Sequence, residues 1–149
     1  QYENTSKRKR AGMMEVLFKI LLPILITIES GGNDKAVGDN GRAVGCLQIH
    51  EIMVDDVNRI LGAKVFDYND RWDREASKEI ARIYFRHYSK SALKLKRSQA
   101  LIMMGRQWNG GPNGHHKVAT EAYGRKVLTL LVKLSPISLF LPIDFSSDF

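Results

Sequence analysis

The sequence predicts a mainly α fold: a single domain of about five helices with a small β-hairpin or loop near residues 34–45. Three observations lead there. Apolar residues return at spacings of three and four along five separate stretches. Only 4 of the 149 residues are proline. Clusters of glycine and asparagine fall between the periodic stretches, where helices stop. The length suits one buried core and is short for two ordinary domains. With 44% hydrophobic and 26% charged residues and no internal repeat, the composition excludes disorder for the middle of the chain.

Residues 1–12 are polar and basic without apolar periodicity, so they are expected to form a loosely ordered arm ahead of a domain spanning 13–134. The first helix is expected from Met13 to Ser30. Leu17, Ile20, Leu21, Ile24, Leu25 and Ile28 make one apolar stripe on it. Pro23 lies off that stripe and is expected to kink or divide the helix, because it removes a backbone donor and crowds the preceding turn. Lys7-Arg8-Lys9-Arg10 ahead of the apolar run has the outline of a secretion signal. However, Lys19 and Pro23 interrupt the run and no small-residue cleavage site follows. The run is also shorter than the ~20 apolar residues that span a bilayer. It therefore reads as a core helix, and no transmembrane segment is expected.

Gly31-Gly32-Asn33 stops that helix, and the stretch to Gly45 reads as turns with a short hairpin at Asp39 to Gly41. A second helix is expected from His50 to Leu61, with Met53, Val57, Ile60 and Leu61 inward and Gly62 at its C-terminal end. A third runs from Asp73, which can cap it, to about Lys90. Its inward face is expected to hold Ala76, Ile80, Ile83, Tyr84 and His87. Ser98 is expected to cap a fourth helix that reaches Trp108 and breaks at Asn109-Gly110-Gly111-Pro112. A fifth spans Lys117 to Leu134, with Ala119, Tyr123, Val127, Leu130, Leu131 and Leu134 inward, and Ser135-Pro136 ends it. Residues 135–149 are an apolar, aromatic tail with no clear period.

Lys and Arg number 23 against 16 Asp and Glu, giving a net charge of +7 and a pI near 9.6. Such a surface favours a polyanionic partner. It does not choose between nucleic acid, teichoic acid and the carboxylates of peptidoglycan peptides, and a solvated basic face fits equally. The single Cys46 cannot close an intramolecular disulfide, so stability rests on packing and the redox compartment stays open.

Splitting a glycosidic bond requires a carboxylic acid that keeps its proton near neutral pH. Glu29 lies at the end of an apolar stripe and opens onto a glycine-rich loop. Burial against apolar side chains and the negative end of a helix both favour the protonated carboxyl. Taken alone, a helix-terminal glutamate is equally an ordinary solvated charge. Its setting adds more, because the chain carries, in order, Glu29-Ser30-Gly31-Gly32-Asn33, Gly45-Cys46-Leu47-Gln48-Ile49, Trp108-Asn109-Gly110-Gly111 and Tyr123-Gly124-Arg125-Lys126-Val127.

This ordered set resembles the lysozyme-like lytic transglycosylases of the SLT-domain superfamily. Their signature is Glu-Ser with a following Asn, then Gly-Leu-Met-Gln-Ile, Ala-Tyr-Asn-Gly-Gly and a late Tyr-x-x-x-Val. The resemblance covers roughly Leu22 to Val127 and implies a lysozyme-like fold. It also implies that Glu29 protonates the glycosidic oxygen between N-acetylmuramic acid and N-acetylglucosamine. The same carboxylate then accepts the proton of the muramoyl C6 hydroxyl as that oxygen attacks C1 and closes an anhydro ring. Ser30, Gln48, Trp108, Asn109 and Tyr123 become candidate substrate contacts. Structural roles stand beside that reading: Ser30 and Asn109 as cap or turn residues, Gln48 and Tyr123 as partners of buried polar groups. The sequence departs from the pattern at Cys46-Leu47, an apolar exchange, and at Gln107-Trp108, which offers an aromatic wall without a phenolic hydroxyl.

Gly38-Asp39-Asn40-Gly41 followed by Gly45-Cys46-Leu47-Gln48 is similar to goose-type lysozyme, which implies plain hydrolysis as an alternative. An inverting hydrolase needs a second carboxylate ~6.5–9.5 Å from the acid. Asp39 is the candidate second carboxylate, with a turn residue as its structural role. The other aspartate of that pattern is replaced here by His50, so transglycosylation is favoured. Neighbouring His115 and His116 are not expected to project together, and no Cys or carboxylate stands at ligand spacing, so no metal and no cofactor is expected.

The expected partner is the glycan strand of peptidoglycan, with the tails as candidate contacts to the wall or to a delivery machine. The substrate places the protein outside the cytoplasm, in periplasm, envelope or medium, or delivered by a phage. Two rivals come from other classes. A basic helical nucleic-acid binder is prompted by Lys7 to Arg10 and Lys94-Leu95-Lys96-Arg97, but no recognition motif accompanies those charges, and no nucleic acid is expected. A non-catalytic glycan binder or structural part of a phage tail or secretion machine is opposed by the presence of Glu29.

Overall fold

A computed structural model of the chain describes residues 2–134. It is mainly helical, with a single two-stranded antiparallel sheet among the described residues, as the periodicity predicts. The helices are α1 (Tyr2–Ser30), α2 (Glu51–Leu61), α3 (Arg74–Tyr88), α4 (Arg97–Gly110) and α5 (Glu121–Leu134), and the strands are β1 (Val37–Gly38) and β2 (Ala43–Val44). Residues 135–149, the predicted tail, lie outside the described residues.

The length led us to expect one core, yet internal contacts divide the chain into two compact units. One comprises the described residues up to Ile24 together with those from Tyr88 onward; the other is Leu25–His87.

Helix α1 begins at Tyr2, so residues 2–12 are not the loosely ordered arm that their polarity suggested. Once a downstream nucleus exists, each further turn costs little, and this stretch is rich in residues that tolerate helix. Lys7 pairs with Glu3 at 3.8 Å and Arg10 donates to Ser6 Oγ at 2.9 Å, both one turn apart. The helix runs undivided through Pro23, which stands on the exposed side. Leu17, Leu21, Ile24 and Leu25 of the predicted stripe are buried, and Met13, Met14, Phe18 and Ile26 join them; Ile20 and Ile28 are half-buried. By length and composition α1 could cross a membrane, with 44% of its most apolar window buried inside the protein. Leu17, Phe18, Leu21 and Leu25 are almost completely buried.

Within Leu25–His87, β1 and β2 pair Val37 with Val44 and Gly38 with Ala43 around the turn Asp39–Gly41. Asp39 and Asn40 both take positive φ, 47° and 56°. Asp and Asn tolerate that conformation best among residues with side chains. Helix α2 ends on Gly62 in the left-handed conformation, as expected, but Val54 is buried and Leu61 is exposed. In α3, Asp73 accepts the Ala76 N–H at 2.7 Å, the predicted cap. Ile80 and Tyr84 of the expected stripe are buried, but Ser77, Ala81 and Phe85 complete the face in place of Ala76, Ile83 and His87, and His87 is exposed.

In the other unit, α4 starts at Arg97, one residue ahead of the expected Ser98 cap, and Ser98 is buried inside the first turn. Helices α4 and α5 approach closely where both carry glycine. A β-carbon at Gly105 would lie 2.7 Å from Val127 Cγ2, and one at Gly124 3.2 Å from Ile102 Cγ2. Helix α5 begins at Glu121 after short 3-10 turns at Gly114–His116 and Val118–Thr120, so Ala119 is exposed rather than inward, and Leu134 is exposed at the far end.

Candidate active site

Glu29 occupies the last turn of α1 and is half-buried. Beyond it the chain turns sharply away: Gly31 and Gly32 take φ of 62° and 91°, and Gly31 N–H returns to the Thr27 carbonyl at 3.1 Å. Arg74 clamps this turn, donating from Nε to Asp34 Oδ1 at 2.8 Å and from Nη2 to the Gly32 carbonyl.

Ser30 ties the glutamate-bearing helix end to the next motif segment. Its hydroxyl donates to the Cys46 carbonyl at 2.7 Å, and its oxygen accepts the Gly32 N–H at 3.1 Å. The Ile26 carbonyl, one turn back, lies at 3.2 Å. The first two segments of the ordered set are thus physically joined.

The second segment is shaped by two residues. Gly45 has φ of 81°, and a β-carbon on it would fall 1.9 Å from the Arg71 carbonyl oxygen, so only glycine fits. Gln48 holds φ of 51°, unusual for a residue with a side chain. Its amide nitrogen donates to Ala36 O at 3.1 Å and Gly45 O at 3.0 Å, and its Oε1 presses so near Gly38 that a β-carbon there would lie 2.4 Å away. With both amide hydrogens engaged, Gln48 here braces the loop, the structural role open to it.

Two further residues of this unit carry weight that the sequence did not reveal. Arg71 is buried and donates to Tyr68 O, Arg42 O and Ile49 O at 2.8, 3.2 and 3.0 Å, which ties the 3-10 turn at Tyr68–Trp72 to the end of the hairpin turn and to the backbone just ahead of α2. An arginine beside an exposed Trp72 gives no periodic signal of such a position. Cys46 is buried beside Ser30, and burial pushes its thiol pKa up.

Asp39, the candidate second carboxylate, stands in the hairpin turn with both oxygens engaged. Arg42 Nη2 reaches Oδ1 at 2.8 Å and His50 Nε2 reaches Oδ2 at 3.3 Å. His50, which stands where the sequence comparison looked for a second aspartate, thus pairs with Asp39.

Trp108, Asn109 and Tyr123 belong to the other unit. Trp108 and Tyr123 are each 7% exposed, whereas Asn109 is exposed in the last turn of α4, which continues to Gly110 past the break expected at Asn109. Gln107, the departure from the family pattern, is a buried hub. It donates to Tyr88 O at 3.1 Å and Pro112 O at 3.0 Å and accepts from Ser89 Oγ at 2.6 Å. An alanine could make none of these bonds.

His115 and His116 do come together, with ring centroids 3.8 Å apart, against the expectation that sequence neighbours diverge; the 3-10 turn at Gly114–His116 folds them onto each other. No group of three His, Cys, Asp or Glu converges among the described residues. Comparison with protein-family models, curated proteins and solved structures finds no match to this chain.

Proposed function

We propose that the protein is a lytic transglycosylase of the bacterial cell wall, cleaving the bond between N-acetylmuramic acid and N-acetylglucosamine with Glu29 as both acid and base. The observation that carries this reading is the Ser30 to Cys46 hydrogen bond, which fastens the Glu29 turn to the Gly45–Gln48 loop. That contact gives the first two motif segments the mutual anchoring a shared site needs, and it fixes the backbone from which Glu29 projects.

Chemically, one carboxyl suffices. Its proton passes to the leaving glycosidic oxygen as C1 becomes oxocarbenium-like. The resulting carboxylate takes the C6 hydroxyl proton as that oxygen bonds to C1, so the enzyme returns to its starting state. Asp39, in its hairpin turn, pairs with Arg42 and His50, the turn role open to it beside that of a second carboxylate.

The test is clearing of a suspension of purified sacculi by the protein and by Glu29→Gln, with folding of both checked by circular dichroism. Clearing lost by at least ~100-fold in the variant is expected. Equal clearing by a folded Glu29→Gln protein would overturn the assignment.

A further inference from the structure

The positive charge of the chain is gathered in one of its two units. Leu25–His87 holds 9 Lys and Arg against 11 Asp and Glu, so it is slightly acidic. The described residues of the other unit hold 14 Lys and Arg against 3 carboxylates, Glu3, Glu15 and Glu121. That excess has too few acids within the unit to neutralise it. Lys94, Lys96, Lys126 and Lys133 are exposed and form no ion pair among the described residues. Such a concentration of one sign raises the local density of anions around the unit.

Apolar side chains stand directly beside these cations. Leu95 lies between Lys94 and Lys96, and Val132 and Leu134 flank Lys133. Val118 follows Lys117, and Val16 precedes Lys19 by nearly one turn of α1. All five are exposed, Val118 at 79% and Leu134 at 66%. Aromatic rings, by contrast, are withdrawn: among the described Phe, Tyr and Trp of this unit, Tyr2 alone is exposed.

We infer that this unit binds the surface of a bilayer rich in anionic phospholipid. A lysine beside an exposed aliphatic suits the lipid interface, where headgroup phosphates take the ammonium and the acyl boundary takes the aliphatic. Nucleic acid attracts the same charge, but its phosphate backbone gives the aliphatics nothing to bury against. A single strand would also find no stacking platform beyond Tyr2. Of the 14 cations 9 are lysine, a compact point charge, and the minority are arginine, whose planar fork reads phosphates and base edges bidentately. The association is peripheral and does not depend on glycan cleavage, since Glu29 and its loop belong to Leu25–His87.

The experiment is co-sedimentation of the full chain with large vesicles of phosphatidylcholine, alone or with about a third phosphatidylglycerol. Binding to the anionic vesicles at least ~10-fold tighter than to phosphatidylcholine alone is expected. Lys94→Gln combined with Lys133→Gln should weaken it about tenfold, whereas Lys35→Gln combined with Lys64→Gln, the same change of charge in the other unit, should alter it less than about twofold. Val118→Ser combined with Leu134→Ser should weaken vesicle binding severalfold and leave any binding to duplex DNA unchanged. Equal binding to the two kinds of vesicle, equal loss from the two pairs of lysine variants, or indifference to the serines would overturn the inference. Tighter binding to duplex DNA than to anionic vesicles at equal phosphate would overturn it as well and assign the basic surface to nucleic acid. No wall fragment enters the measurement, so failure of vesicle binding leaves the transglycosylase reading untouched, and failure of wall cleavage leaves the lipid surface standing.

Discussion

A methyl group at Gly45 would have to occupy the same space as the Arg71 carbonyl oxygen, 1.9 Å away, in a backbone conformation with φ of 81°. Gly45→Ala is expected to destabilise the fold by about 2–4 kcal/mol, since both the collision and the dihedral oppose it. Urea denaturation measures that loss; a change under about 0.5 kcal/mol would mean that the loop relaxes freely. His115 makes a second residue-scale prediction. Burial first, then His116 and Arg106, lower its pKa from 6.5, and its Nδ1 has no hydrogen-bond partner. The folded protein therefore binds that proton less readily than the unfolded chain. The contribution of His115 to stability is complete above 6.5 and is lost as pH falls from there toward the lowered folded value. Melting temperature should drop as pH falls below 6.5, and drop less in His115→Gln. Equal pH profiles for the two proteins would contradict this.

At the scale of elements, sequence periodicity located the helices better than their faces. The Asp73 cap and the Gly62 stop were legible because capping chemistry is local. The inward face of α3 was legible at Ile80 and Tyr84 but not at Ser77, which, polar by composition, is buried and donates its hydroxyl to the Arg71 carbonyl at 2.9 Å. That partner lies in another element and leaves no periodic trace. The N-terminal turns of α1 were illegible for the opposite reason: an exposed extension of a helix needs no apolar stripe. Such turns are mostly exposed and bury no apolar stripe, so amides of residues 4–11 are expected to exchange with solvent far faster than those of 17–25. Hydrogen exchange on the intact protein reads this directly, and equal protection would show that the extension is packed.

At the scale of the molecule, the four motif segments divide evenly. Glu29–Asn33 and Gly45–Ile49 lie in Leu25–His87, and Trp108–Gly111 and Tyr123–Val127 in the other unit. Their order was readable in the chain, as were the helical class and the hairpin. The division into two units was not, because it depends on which residues touch across long separations. Nor was the bracing role of Gln48, since a side-chain amide carries no sign in the sequence of whether it faces a ligand or its own backbone. The net charge of +7 fits an anionic wall and also fits the nucleic-acid rival. Salt separates the two, because nucleic-acid binding weakens steeply as counterion release loses its advantage.

The central claim is that a single carboxylate, Glu29, runs both halves of the reaction. Mass spectrometry of the soluble fragments released from peptidoglycan by the unmodified protein, Glu29→Gln and Asp39→Asn decides it. Anhydromuramoyl ends from the unmodified protein and from Asp39→Asn, with nothing released by Glu29→Gln, is the predicted result. Reducing muramoyl ends that vanish in Asp39→Asn would contradict it and make Asp39 the base of a hydrolase.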